Sequence, residues 1–154
     1  MLNYEKIILE IKEFANLHIQ INSVGNGDLY EVIERDKLQD FSYPLLWAQD
    51  SNFGTSQGKA FFSFQILALD QTLNGEENEN FVKSSMLEIL FDFVSYFKQL
   101  KIYDINGERI YFTVTVENSG QTFTERFNDI LTGGNLSIRF DTPLRFNKCK
   151  IPGI

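Results

Sequence analysis

A lone histidine, a lone cysteine and one run of carboxylates are the residues here whose types could do chemistry. His18 would act as a general base or a ligand only with partners converging on it. It stands at the end of a helix-patterned stretch, where an imidazole more commonly caps or half-buries itself. Cys149 would be a nucleophile only beside a base in space; a buried or inert thiol is the simpler reading. Being single, it closes no intramolecular disulfide and signals no redox compartment. No cysteine–histidine cluster has the spacing of a zinc site. Asp28, Glu31, Glu34, Asp36 and Asp40 could gather a cation, but Arg35 and Lys37 are interleaved and the spacing of a calcium loop is missing. That stretch reads as a solvated charged loop.

Two further signals fall short of a site. Gly25-Asn26-Gly27 lacks the third glycine, the Lys-Ser/Thr pair and the following helix of a phosphate loop. No Gly-x-Ser-x-Gly elbow occurs. Carboxylate pairs of the glycosidase kind are defined by their separation in space, so a small carboxylate hydrolase stays a minor alternative. The expectation is therefore no catalytic residue, no cofactor and no metal.

Composition narrows the classes further. A chain of 154 residues suits one domain with a proper core, 1–154. Its 15 phenylalanines supply large buried areas, so stability need not come from metal or disulfide. A net charge of −7 argues against a broad basic face for nucleic acid. It is compatible with DNA sliding through an acidic ring without sticking. No stretch approaches the ~18 apolar residues of a membrane span. The opening MLNYEKIILE lacks a basic region followed by a long apolar run, so no signal peptide is expected. The chain reads as made in the cytoplasm.

The elements that would position any site follow from periodicity. Residues 3–18 repeat apolar positions at helical spacing through Tyr4, Ile7, Ile8, Ile11, Phe14 and Ala15, which predicts a helix lying on a sheet. Ile19-Gln20-Ile21-Asn22 alternates like a short strand, and 25–28 reads as a loop. Tyr43-Pro44-Leu45-Leu46-Trp47-Ala48 is strand-length, with its proline suited to a strand start. Residues 59–70 predict a long strand with Ala60, Phe62, Phe64, Ile66 and Ala68 on one face. The polar stretch before it reads as the tip of a hairpin arm spanning about residues 47–62. A second helix is predicted over 78–101, Asn106-Gly107 as a turn, 109–117 as an alternating strand, 118–131 as a loop and, after Gly133-Gly134, a closing strand in which Leu136, Ile138 and Phe140 alternate with Ser137, Arg139 and Asp141. The tail, 143–154, is basic. The fold class is thus α+β: an antiparallel or mixed sheet, two amphipathic helices on one face and an extended β-hairpin arm.

The second helix is apolar around too much of its circumference. Val82, Met86, Ile89, Leu90, Phe93, Phe97 and Leu100 form one face, and Leu87, Phe91 and Val94 widen it. The arc is roughly 220°, against the ~100° stripe that one packing contact needs. Leu87, Phe91 and Val94 are therefore expected at an oligomer interface. Phe53 and Phe61 join them from an aromatic cluster with Tyr43, Trp47 and Phe62 around the hairpin. Charge is uneven as well. Glu76, Glu77 and Glu79 are acidic, whereas Arg139, Arg145 and Lys148 make the C-terminal end basic. Such patches on opposite flanks could meet in a head-to-tail ring.

This order of elements, closing on the stretch Asp129-Ile130-Leu131-Thr132-Gly133-Gly134 through Cys149-Lys150-Ile151-Pro152, resembles the tail-terminator, tail-completion and neck proteins of tailed bacteriophages. The resemblance implies a non-enzymatic virion protein at the tail or head–tail junction. It implies a homo-oligomeric ring, commonly hexameric, that ends the tail tube and joins it to the head or connector. The implied partners are further copies of itself, tail-tube and head-connector proteins, and genomic DNA passing through the lumen. The rival class is a small acidic binding module of a bacterium, such as an immunity-type protein that neutralises a basic toxin.

Overall fold

The computed structural model describes residues 1–28, 42–72, 78–117, 119–126 and 130–145. Helix α1 (Tyr4–Leu17) starts where Asn3 accepts a hydrogen bond on its side chain from the Lys6 amide, 2.9 Å away. That cap satisfies one of the orphan amides of the first turn. Its buried residues Ile7, Ile8, Ile11, Phe14 and Ala15 lie on the stripe that the periodicity predicts. Helix α2 (Glu79–Gln99) buries Val82, Met86, Ile89, Leu90, Phe93 and Phe97. Both helices pack their apolar stripes into one core with the same face of the sheet.

That sheet is built from β1 (Ser23–Asn26), β2 (Leu45–Ser56), β3 (Lys59–Gln71), β8 (Ile130–Pro143) and β6 (Thr113–Val116), in that lateral order. Strand β7 (Gln121–Arg126) pairs with the N-terminal half of β8, and β6 with its C-terminal half. Strand β1 runs parallel to β2, while the other pairs of this sheet are antiparallel. A separate pair, β4 (Ile102–Tyr103) and β5 (Arg109–Ile110), closes over a turn with Gly107 at φ +81°. The fold is α+β with a mixed sheet and both helices on one face, as the periodicities predict.

Strand alternation sorts the side chains. Ala48, Phe64, Ile66, Ala68, Ile138 and Phe140 face the helices. Leu45, Trp47, Leu67 and Leu69 form a second, smaller core on the opposite face, joined by Tyr43 and Phe123. Buried polar side chains are partnered: Thr142 donates to the Tyr111 carbonyl and accepts from the Leu2 amide, and Thr132 donates to the Phe123 carbonyl. Leaving such groups unpaired inside the fold would cost about 1–3 kcal/mol each.

Several local expectations are corrected. The short strand lies at Ser23–Asn26 and not at 19–22, because pairing with β2 outweighs local alternation. The polar stretch after Asp50 is strand up to Ser56, and the hairpin turns only at Gln57-Gly58, both at positive φ. A one-residue bulge between Asp50 and Phe53 realigns β2 with β3. The arm is also not a free pair of strands. Strand β3 is matched by β8 along its whole length, from Gln71 opposite Leu131 to Lys59 opposite Pro143. Residues 121–126 form β7 and not a loop, and the alternating run 109–117 divides into β5 and β6. The charged stretch 29–41, Phe127 and Cys149 lie outside the described residues.

Candidate functional site

No helix among the described residues is long and apolar enough to cross a membrane, and no group of three or more metal-ligating side chains is gathered there. His18 caps α1 and spends both ring nitrogens. Its Nδ1 accepts from the Gln20 amide at 3.2 Å, so the proton sits on Nε2, which donates to Asp92 at 2.9 Å. The ring packs against Phe14. The pair fastens α1 to α2 and leaves no ring nitrogen for a ligand.

The predicted interface residues separate into packed and free. Leu87 and Val94 are half-buried against the helix-side core, whereas Phe91 is 64% exposed. Leu87 stands over Gly134 of β8, where an added Cβ would come within 2.8 Å of its Cδ2. The wide arc of α2 is therefore mostly used inside the domain, whose core takes two of the three extra residues, Leu87 and Val94. Phe81, at 74% exposure on the solvent side of the same helix, was not singled out by periodicity, and its exposure belongs to the unpacked face.

At the hairpin, Phe53 and Phe61 lie on opposite faces of the sheet. Phe53 pairs across the strands with Phe62 on the helix side, and its ring is 81% exposed. It lines an open cleft of about 510 Å³ with Tyr4, Asp50, Phe62 and Phe64. The Tyr4 hydroxyl donates to Asp50 Oδ1 at 2.7 Å. Burial first, then that hydrogen bond and the carboxylate charge, raise the Tyr4 phenol above its ordinary value, so it stays a donor. Phe61 is half-buried beneath the Arg139 guanidinium, 3.9 Å above its ring centroid.

Two of the six expected inter-subunit charges, Arg139 and Glu79, are engaged within the chain. Arg139 Nε and Nη2 both reach the Asp141 carboxylate, at 3.0–3.2 Å. Glu79 pairs with Lys83 one turn along α2 and accepts from the Thr124 hydroxyl at 2.6 Å. Arg145 is exposed, while Glu76, Glu77 and Lys148 lie outside the described residues.

No protein-family model matches the chain, and no curated protein matches it. The geometry of the described residues is then the remaining guide. A second cleft, of about 340 Å³, opens at the other edge of the sheet between the end of α2 and β5–β6. Phe97, Leu100, Phe112 and Val114 line it, and Lys98 and Arg109 are also part of its wall. No sequence pattern pointed to this cleft, because its walls come from three elements whose register had to be known first. One cleft thus lies at each edge of the sheet.

Proposed function

We propose that this protein is a non-enzymatic virion structural protein of the tail-terminator or tail-completion type. In this reading it assembles into a homo-oligomeric ring that ends the tail tube and joins it to the head or connector. The observation that carries the reading is the pair of exposed apolar surfaces at opposite edges of one sheet: Phe53 with its cleft at the β2 edge, and the α2–β6 cleft at the other. Two different surfaces on opposite sides of a subunit make a head-to-tail contact, and such contacts close into rings when the rotation permits. The order of elements resembles that of tail-terminator and neck proteins, and the net charge of −7 suits a lumen through which DNA slides.

Size-exclusion chromatography with light scattering, followed by negative-stain microscopy of the peak, tests the assembly. A ring is the expected outcome, and a monomer at high concentration counts against it. The position of the gene tests the class independently. Portal, capsid and tail-tube genes beside it are expected, and a toxin gene beside it would favour the immunity-type reading.

A further inference from the structure

We infer that Phe53 of one copy seats in the α2–β6 cleft of the next copy, an inference that rests on the ring reading and supplies its contact. The register of the sheet is the first support. Phe53 of β2 stands opposite Phe62 of β3, Phe62 opposite Phe140 of β8, and Phe140 opposite Val114 of β6. These four residues form one row straight across the helix-side face. Its ends are the exposed Phe53 ring at one edge and the cleft wall at the other. The ends are three strand spacings apart, about 14 Å, so the Phe53 ring does not reach the cleft of its own chain. A lateral head-to-tail step at constant height brings one end against the other.

Charge is the second support. Asp50 stands opposite Phe64, two residues along β3 from the Phe62 that faces Phe53, and is exposed. Its Oδ1 accepts from Tyr4, and among the described residues the carboxylate has no ion pair. The cleft that would receive Phe53 has a floor of Phe97, Leu100, Phe112 and Val114 with Lys98 and Arg109 beside it. Neither cation is ion-paired to a described carboxylate. An aromatic ring accompanied by a carboxylate thus meets an apolar pocket accompanied by two cations. The open edge supplies the third support. Strand β1 covers β2 from Leu45 to Ala48, and among the described residues no strand pairs with the outer side of β2 beyond Asp50. The bulge beside Asp50 twists that edge and disfavours a flat two-fold pairing of two β2 strands.

Cysteine trapping decides the contact. In a Cys149→Ser background, Phe53→Cys and Thr113→Cys are made singly and together in the full chain, since Thr113 lines the cleft and is exposed. Mild oxidation of the double variant should give a ladder of covalent oligomers, and an equimolar mixture of the single variants should give a mixed dimer. Each single variant alone should stay monomeric on a denaturing gel. Dimers from Phe53→Cys alone would overturn the inference in favour of two-fold edge pairing. Intact rings without a ladder would overturn this contact and leave the ring reading standing. A chain that is monomeric before oxidation would overturn the ring reading itself. As a second readout, Phe53→Ser should weaken ring association at least tenfold while the Trp47 emission spectrum is unchanged; an unaltered ring would overturn the inference.

Discussion

The indole of Trp47 lies against the bare Cα of Gly25, its register partner in the parallel pair β1–β2. A Cβ added to Gly25 would fall 2.3 Å from the Trp47 ring. The ring has little freedom to withdraw, because its Nε1 donates to the Gly27 carbonyl at 3.0 Å and it is 4% exposed in the second core. Gly25→Ala should therefore destabilise the fold by about 1–3 kcal/mol, the usual cost of overpacking. Trp47 is the only tryptophan, so its emission reports the site directly. A red-shifted spectrum and a lower denaturant midpoint are expected; an unshifted spectrum with wild-type stability would refute the packing argument.

Gly133 is a harsher case. A Cβ there would lie 1.8 Å from the Ala68 carbonyl oxygen, and backbone cannot move aside as a side chain can. Gly133→Ala should cost at least the upper end of that ~1–3 kcal/mol range. At Gly54 the nearest atom is the far end of the Phe61 ring, at 2.9 Å, which is partly exposed and can turn. Gly54→Ala should cost clearly less, and chemical denaturation of the two variants side by side gives the order.

These contacts explain what could be read from residues alone. The two helices were legible because their apolar repeats persist over several turns, and burial follows those repeats from Ile7 to Phe14 and from Val82 to Phe97. Strand β3 was legible because Phe62, Phe64, Ile66 and Ala68 recur at every second position of a strand-length run, although Leu67 and Leu69 are buried on its other face as well. Strand β7 was not: Gln121-Thr122-Phe123-Thr124 carries one apolar residue, and its strand state comes from pairing with β8. The Arg139–Asp141 pair was visible in principle, since residues two apart share a strand face. The row from Phe53 to Val114 could not be seen, because it depends on a bulge and on three inter-strand registers.

Leu87 and Phe91, one turn apart on α2, should respond unequally to the same substitution. Leu87→Glu places a carboxylate against the core and over Gly134, and should lower monomer stability by about 2 kcal/mol or more. Phe91→Glu introduces the charge at a side chain already 64% exposed, and should stay within about 0.5 kcal/mol. Urea unfolding at low protein concentration, where association does not contribute, separates the two. Equal losses would place Phe91 in the core.

Asp70 gives a dependence on pH whose sign is fixed by its surroundings. It sits on β3 opposite Thr132, and burial raises its carboxyl above the ordinary 3.8, offset in part by the Gln71 amide that donates to Oδ1 at 2.8 Å. Between 3.8 and the raised value the folded chain holds more protons than the unfolded one. Stability must therefore fall as pH rises through that window. Glu10 adds the same trend, raised by burial and then by Glu13. Asp70→Asn removes one of the two contributions. Relative to the wild type, the variant should gain stability as pH rises from the ordinary 3.8 through the raised value, and the gain should level off once Asp70 is fully ionised in the folded wild type. Thermal midpoints of both proteins across that range measure the difference. A difference that stays constant with pH would show that the Asp70 carboxyl titrates alike in the folded and unfolded chains.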